Sequence, residues 1–198
     1  MEEPAPLTGE PLILDLINTR PADPDGRAEL IGTPEALAAW LSLEEHRLPM
    51  EFQGAAPDPG DLPPLHAVRA DAEAAVRALL RGQAPPTAAL RGLTAAQRAA
   101  PAVRELAWDG TAVTATARRG GPLGVALAAV FAEAAAELLA GPGAARVREC
   151  AAADCVLLFL PAHPRRRWCS PTRCGNRARV ARYYRRHRPE PGRGTRPA

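Results

Sequence analysis

CAAADCVLLFLPAHPRRRWCSPTRCGNRARVARYYRRH, residues 150–187, holds all four cysteines of the 198-residue chain. They form two Cys-x4-Cys pairs, Cys150/Cys155 and Cys169/Cys174, with thirteen residues between the pairs. A short pair lets both sulfurs converge on one ion, and a second pair closes a tetrahedral shell with no place left for a reactive water. The spacing predicts a structural Zn2+ site on Cys150, Cys155, Cys169 and Cys174, not a catalytic one. Disulfides would need an oxidising compartment, and the acidic, proline-bearing start MEEPAPLTGE has none of the features of a secretory signal. His163 and His187 are spare ligands beside a complete shell. The segment is too small to bury a core of its own. Structural zinc is worth roughly 10–16 kcal/mol in small finger peptides, enough to fix it. Val156, Leu157, Leu158 and Phe159 can pack it on the rest of the chain. Ser170-Pro171 suits the cap of a short turn, and Gly175 suits a tight backbone after it.

From Asn176 the pattern turns helical. Val180, Tyr184 and His187 share one stripe, with core packing expected for Tyr184; Arg179, Arg182 and Arg186 share another, with Arg185 beside them. Arg165, Arg166 and Arg167 precede the third cysteine. Every basic residue of the chain is arginine, a side chain suited to bidentate contact with phosphate and guanine edges. From Arg146 onward 14 arginines face Glu149, Asp154 and Glu190, a balance of +11; the first 145 residues hold 11 arginines against 19 acids, a balance of −8. An acidic body with a basic C-terminal module suits a polyanionic partner. The bland alternative is a solvated tail lying on the acidic body.

That body reads as helical. Apolar residues make up 46% and aromatics only 4%, which favours packed helices over an aromatic-rich sandwich. Leu12, Ile13, Leu16 and Ile17 mark a short buried helix. Thr33-Pro34-Glu35 opens a second, with Leu37, Trp40 and Leu41 as its apolar stripe. Leu65, Val68, Ala72, Val76, Leu79 and Leu80 share a face of a third, closed by Gly82. PPTAALRGLTAAQRAA is a further short helix. Asp109-Gly110, between runs bearing Leu106, Trp108 and Val113, signals a tight β-hairpin. GPLGVALAAVFAEAAAELLAG then reads as a long apolar helix closed by Gly141. No run approaches 18 uninterrupted apolar residues, so no membrane span is expected, and the cytoplasm is the expected compartment.

These residues carry a family resemblance. WCSPTRCGNRARVARYYRRHR, residues 168–188, resembles the CGNR zinc finger, named for the residues that stand here as Cys174, Gly175, Asn176 and Arg177. The upstream pair Cys150/Cys155, the apolar run Leu157 to Leu160, and the basic residues before Trp168-Cys169-Ser170 follow the same pattern. Residues 10 to about 140 are similar to the ABATE domain that usually precedes this finger. Its signature stands as Leu14-Asp15-Leu16-Ile17-Asn18-Thr19. Two positions depart from the pattern. Pro161 and Ala162 follow the apolar run where an aspartate and a small polar residue are common, so the hydrogen bond of such an aspartate is missing. Arg179 stands where lysine is frequent. The resemblance implies a bacterial stress-related transcription regulator with a zinc-dependent DNA-binding C-terminus.

The expected fold is α+β: a mostly helical N-terminal domain with one β-hairpin (1–145), a small four-cysteine zinc finger with a C-terminal basic helix (146–188), and a disordered tail (189–198). The expected DNA interface is Arg165, Arg166, Arg167, Arg173, Arg177, Arg179, Arg182, Arg185 and Arg186. The alternative is a protein-interaction module whose basic finger binds an acidic partner or its own N-terminal domain. Asp15, Asn18 and Thr19 are the candidate lining of a ligand pocket for a small-molecule effector. The bland reading has Asn18 and Thr19 capping the first helix and Asp15 making a structural hydrogen bond. No Ser-His-Asp set, Cys-His set or phosphate loop appears, so an enzyme is not expected. A homodimer would suit operator recognition, though no zipper is visible.

Overall fold

The computed structural model describes residues 6–23 and 26–187. The elements are α1 (Leu12–Ile17), β1 (Ala22–Asp23), β2 (Gly26–Arg27), α2 (Pro34–Glu44), α3 (Leu62–Leu80), α4 (Thr87–Ala99), β3 (Val103–Trp108), β4 (Val113–Arg118), α5 (Leu123–Ala140), β5 (Arg148–Glu149), β6 (Leu158–Phe159) and α6 (Asn176–His187). The three sheets are antiparallel pairs: β1 with β2, β3 with β4, β5 with β6. The fold is α+β, with helices forming the body.

Short-range chemistry sets the helix ends. The Thr33 hydroxyl accepts the Ala36 N–H (3.2 Å) ahead of Pro34. The third helix begins earlier than its apolar stripe, at Leu62, because Pro63 and Pro64 fall in the first turn, where an amide N–H has no helical partner anyway. Gly82 closes that helix with φ +68°. Leu65, Val68, Ala72 and Val76 are buried, whereas Leu79 is half-buried and Leu80 lies exposed at the C-terminal end.

The core centres on α5. Leu127, Ala129, Phe131 and Ala132 are fully buried, and Phe131 stacks on Trp40 of α2 with ring centroids 5.5 Å apart. At 18 residues and a mean hydropathy of 1.9, α5 meets the length and composition of a membrane span, but 56% of it is buried within the protein. Here α1, α3 and α4 pack around it. Gly124 lets its first turn press on Asp61: the Gly124 N–H donates to Asp61 Oδ1 (2.6 Å), and a Cβ there would lie 2.4 Å from Asp61 backbone atoms.

The hairpin β3–β4 forms where Asp109-Gly110 marks it, but its loop has four residues, not two. Strand pairing ends at Trp108↔Val113. The Asp109 side chain accepts the Thr111 (2.8 Å) and Ala112 (2.9 Å) N–H groups, and Gly110 takes φ +101°. All twelve strand residues are exposed.

The apolar run of the finger is divided by strand alternation. Leu158 enters the main core, whereas Leu157 and Phe159 pack with Cys150, Cys169 and Cys174 in a second cluster. The tail expected to be disordered, 189–198, lies outside the described residues.

Candidate metal centre and nucleic-acid interface

The two cysteine pairs are brought together by the small hairpin β5–β6 and by the turn after Cys169. The Cys150 N–H donates to the Leu157 carbonyl and the Ala151 N–H to the Arg167 carbonyl, both at 2.9 Å. These bonds set the first pair beside the second. The Ser170 hydroxyl accepts the Arg173 N–H (3.2 Å) at the head of a π-helical turn, Pro171–Gly175. Gly175 makes no special demand there, since an added Cβ would meet only ordinary contacts at 3.6 and 3.9 Å.

The four sulfurs lie within 4.8 Å of one another. Cys155 and Cys169 are 3.8 Å apart, and Cys169 and Cys174 are 3.6 Å apart. A tetrahedron with Zn–S bonds of about 2.3 Å has edges of about 3.8 Å. The donors therefore fit zinc in number, softness and spacing, and the site is a structural Zn2+ centre. His163 and His187 are engaged elsewhere: His163 Nδ1 receives the Arg165 N–H (3.2 Å), and the His187 ring stacks on Tyr183 at 4.1 Å.

The crowding of the thiols has its own electrostatics. The hydrogen bond with Cys169 pulls the Cys155 thiol down to about 5. That same bond, with burial, pushes the Cys169 thiol far up, and burial raises Cys174 to about 11. A dication takes the remaining protons off the thiols, so loading releases protons. Two donors then face the thiolates: the Cys169 N–H toward Cys150 Sγ and Arg177 Nη2 toward Cys174 Sγ, both at 3.4 Å. Such outer donors orient the ligands and offset their charge.

The arginines divide into two groups. Arg165, Arg167, Arg173, Arg177, Arg179, Arg182 and Arg186 are exposed, and among the described residues no carboxylate forms an ion pair with them. The Arg185 side chain lies outside the described residues. Arg166 corrects the expectation that the whole triplet faces a polyanion. Its guanidinium lies 4.5 Å over the Phe159 ring, and Nη2 donates to Glu10 Oε1 and the Cys169 carbonyl, both at 2.5 Å. Nε donates to the Trp168 carbonyl (3.1 Å). Arg166 ties the finger to the body.

Helix α6 packs against the turn before it, and apart from half-buried Ala178 its described side chains are exposed. Tyr184 is 68% exposed and Val180 53%. The expectation of a core tyrosine is thus corrected, since among the described residues no element of the body buries this face. Arg167, Arg177 and Arg182 converge with Trp168 on a cleft of about 430 Å³ between α6 and the first knuckle, where Asp154 also lies. A wider groove of about 630 Å³ runs along α4, past Leu90, Thr94 and Ala95, and shares no residue with the finger.

Asp15, Asn18 and Thr19 do not line either cleft. They are buried in the joint between α1 and its neighbours, with relative exposures of 0–1%, which corrects the ligand-pocket expectation. Asn18 Nδ2 donates to the Leu158 carbonyl (2.8 Å), and the Leu158 N–H donates to Asn18 Oδ1 (2.9 Å). The Thr19 hydroxyl donates to the Leu16 carbonyl and accepts from Arg69, both at 2.7 Å. Asp15 accepts the Gly9 (2.9 Å) and Glu10 (3.1 Å) N–H groups and Arg47 Nη1 (2.6 Å). Burial, with the charge of nearby Glu44, nevertheless pushes its carboxyl up to about 7.

Sequence reasoning missed the residues that join body to finger. Glu10 accepts Arg166 and the Leu160 N–H (2.8 Å), and its own carbonyl accepts Arg47. Arg77 donates to Glu149 (2.8 Å) and the Val156 carbonyl (2.9 Å). Nothing in their local sequence marks these charges, whose partners lie far along the chain.

Two family models match. Residues 10–142 match ABATE, described as "Putative stress-induced transcription regulator". Residues 146–187 match the CGNR zinc finger. No curated protein matches the chain.

Proposed function

The chain belongs to the ABATE family and carries a CGNR zinc finger at residues 146–187, and from that premise we propose that it is a zinc-dependent DNA-binding transcription regulator. The observation that carries this reading is the set of seven exposed finger arginines with no carboxylate partner among the described residues. By contrast Arg27, Arg47, Arg69 and Arg119 of the body are each matched to an acid. Unneutralised guanidinium groups on a metal-fixed frame suit phosphate contacts.

In this proposal Cys150, Cys155, Cys169 and Cys174 hold the ion, which supplies rigidity and no reaction step. The π-helical turn then sets the direction of α6. Arg179, Arg182 and Arg186 present donors to a groove, and Arg165 and Arg167 hold phosphates beside it. The protein acts by binding, without catalysis, in the bacterial cytoplasm where such a regulator meets its operator. An effector acting on the body would reach the finger through the Asn18–Leu158 and Glu10–Arg166 contacts.

The reading in which the basic helix lies on its own acidic domain has no support in the exposure of Arg179, Arg182 and Arg186. The test is recovery and sequencing of sheared genomic DNA by zinc-loaded full-length protein, with the Cys169→Ser, Cys174→Ser variant alongside. Enrichment of a few fragments, lost in the variant, is the expected outcome. Failure to recover DNA with zinc-loaded protein would remove the proposal.

A further inference from the structure

The cleft between α6 and the first knuckle holds a group that phosphate binding does not explain. Asp154 lines it together with Arg167, Arg177 and Arg182. Glu149, the other acid among the described finger residues, pairs with Arg77. Asp154 is exposed, and among the described residues its carboxylate has neither an ion-pair partner nor a hydrogen-bond donor. A carboxylate set among arginines repels the phosphates that those arginines attract. A surface made for phosphate alone would bind better without it.

The rest of the cleft is apolar or already oriented. Ala153, Ala178 and Ala181 form its walls with Trp168. The Arg167 guanidinium lies 5.7 Å from the centre of the Trp168 ring, and Arg177 Nη2 faces the Cys174 sulfur at 3.4 Å. Two of the three cations are thus held by residues of the metal knuckles. An ionised carboxylate accepts hydrogen bonds and donates none, so its ligand must bring a donor. The phosphodiester backbone of DNA has none to offer, whereas some base edges do. In the major groove thymine presents an acceptor and a methyl group, and guanine presents two acceptors. Adenine sets its amino group beside the N7 acceptor, which a carboxylate opposes. Cytosine presents its N4 amino group with no acceptor beside it. The short alanine side chains leave a cleft of about 430 Å³ open to such an edge.

We propose that Asp154 is a specificity-determining residue of the finger, its carboxylate accepting the N4 amino group of a cytosine whose flanking phosphate lies on Arg167. This inference rests on the DNA-binding reading above and narrows it. The arginines attract any DNA; Asp154 supplies the difference between bases, by accepting one amino group and repelling edges that present oxygen.

The experiment is fluorescence anisotropy of zinc-loaded full-length protein at neutral pH with three labelled probes: oligodeoxycytidine, oligodeoxyuridine and a mixed-sequence duplex. The two single strands differ on the base edge by an amino group in place of a carbonyl oxygen. The expected result is a preference for the cytosine strand of roughly tenfold. Asp154→Asn, whose amide both donates and accepts, brings that preference close to one. Asp154→Ala does the same and binds the duplex as tightly as the wild type or more tightly, because a like charge beside the phosphates is gone. Zinc content of both variants stays at that of the wild type. A wild type that binds the duplex but treats the two strands alike overturns this inference and leaves the DNA-binding reading in place, whereas failure to bind any of the three overturns both. A cytosine preference that survives Asp154→Asn, or a weaker duplex complex in Asp154→Ala, also overturns it.

Discussion

Asn18 and Leu158, 140 residues apart in sequence, are joined by two hydrogen bonds inside the core. The amide of a helix in the body satisfies both the N–H and the C=O of a strand in the zinc finger. Body and finger are therefore coupled through a buried polar joint, and the signature asparagine has a structural task.

Asn18→Ala leaves both Leu158 groups buried without partners. Each unpaired group costs about 1–3 kcal/mol, so urea unfolding should show a loss of that order or more. Zinc content of the folded protein should stay at one ion per chain. A loss below about 0.5 kcal/mol would mean that water replaces the amide.

Arg177→Ala should weaken zinc binding, because its guanidinium faces the Cys174 sulfur at 3.4 Å. Removal of an outer-sphere partner typically costs 10–100-fold in metal affinity. Competition with a chromogenic chelator measures it. Arg173→Ala, whose side chain is exposed, is the control and should leave the affinity unchanged.

Stability should depend on pH through the buried group of Asp15, Glu44 and Arg47. The Asp15 carboxyl is raised from 3.8 to about 7, so the folded chain retains this proton where the unfolded chain has lost it. Its contribution is fully present below about pH 4 and disappears as pH rises through 7. The urea midpoint should carry a component that falls between about pH 4 and pH 7. Glu44→Gln removes one like charge beside Asp15 and should flatten it.

The arginines should separate in their effects. Arg166→Ala removes the contacts to Glu10 and Phe159, so it should lower stability while leaving the salt dependence of DNA binding unchanged in slope. Arg182→Ala should do the reverse, lowering the slope by about 0.9 with no change in melting.

What the sequence made legible is local. Thr33-Pro34 starts a helix, Gly82 ends one, Ser170 caps the turn between ligands, and paired cysteines declare a metal, because each depends on residues a few positions away. Partners far along the chain were not legible. Arg166 looks like its two neighbours until Glu10 and Phe159 are placed around it. Asp15, Asn18 and Thr19 look like a polar pocket until Leu158, Arg47 and Arg69 fill it. Tyr184 sits at a core-like helical position, yet it stays 68% exposed. The hairpin could be read from Asp109-Gly110, but not its isolation from the body.

The most direct test of the account is the salt dependence of DNA affinity for zinc-loaded full-length protein beside the Arg179→Ala, Arg182→Ala, Arg186→Ala variant. Fluorescence anisotropy over a series of salt concentrations supplies both slopes. The account predicts tight binding by the wild type at low salt and a log–log slope about 2.7 units shallower in the variant, from roughly 0.9 per lost phosphate contact. Equal slopes, or no binding by the zinc-loaded wild type, would contradict it.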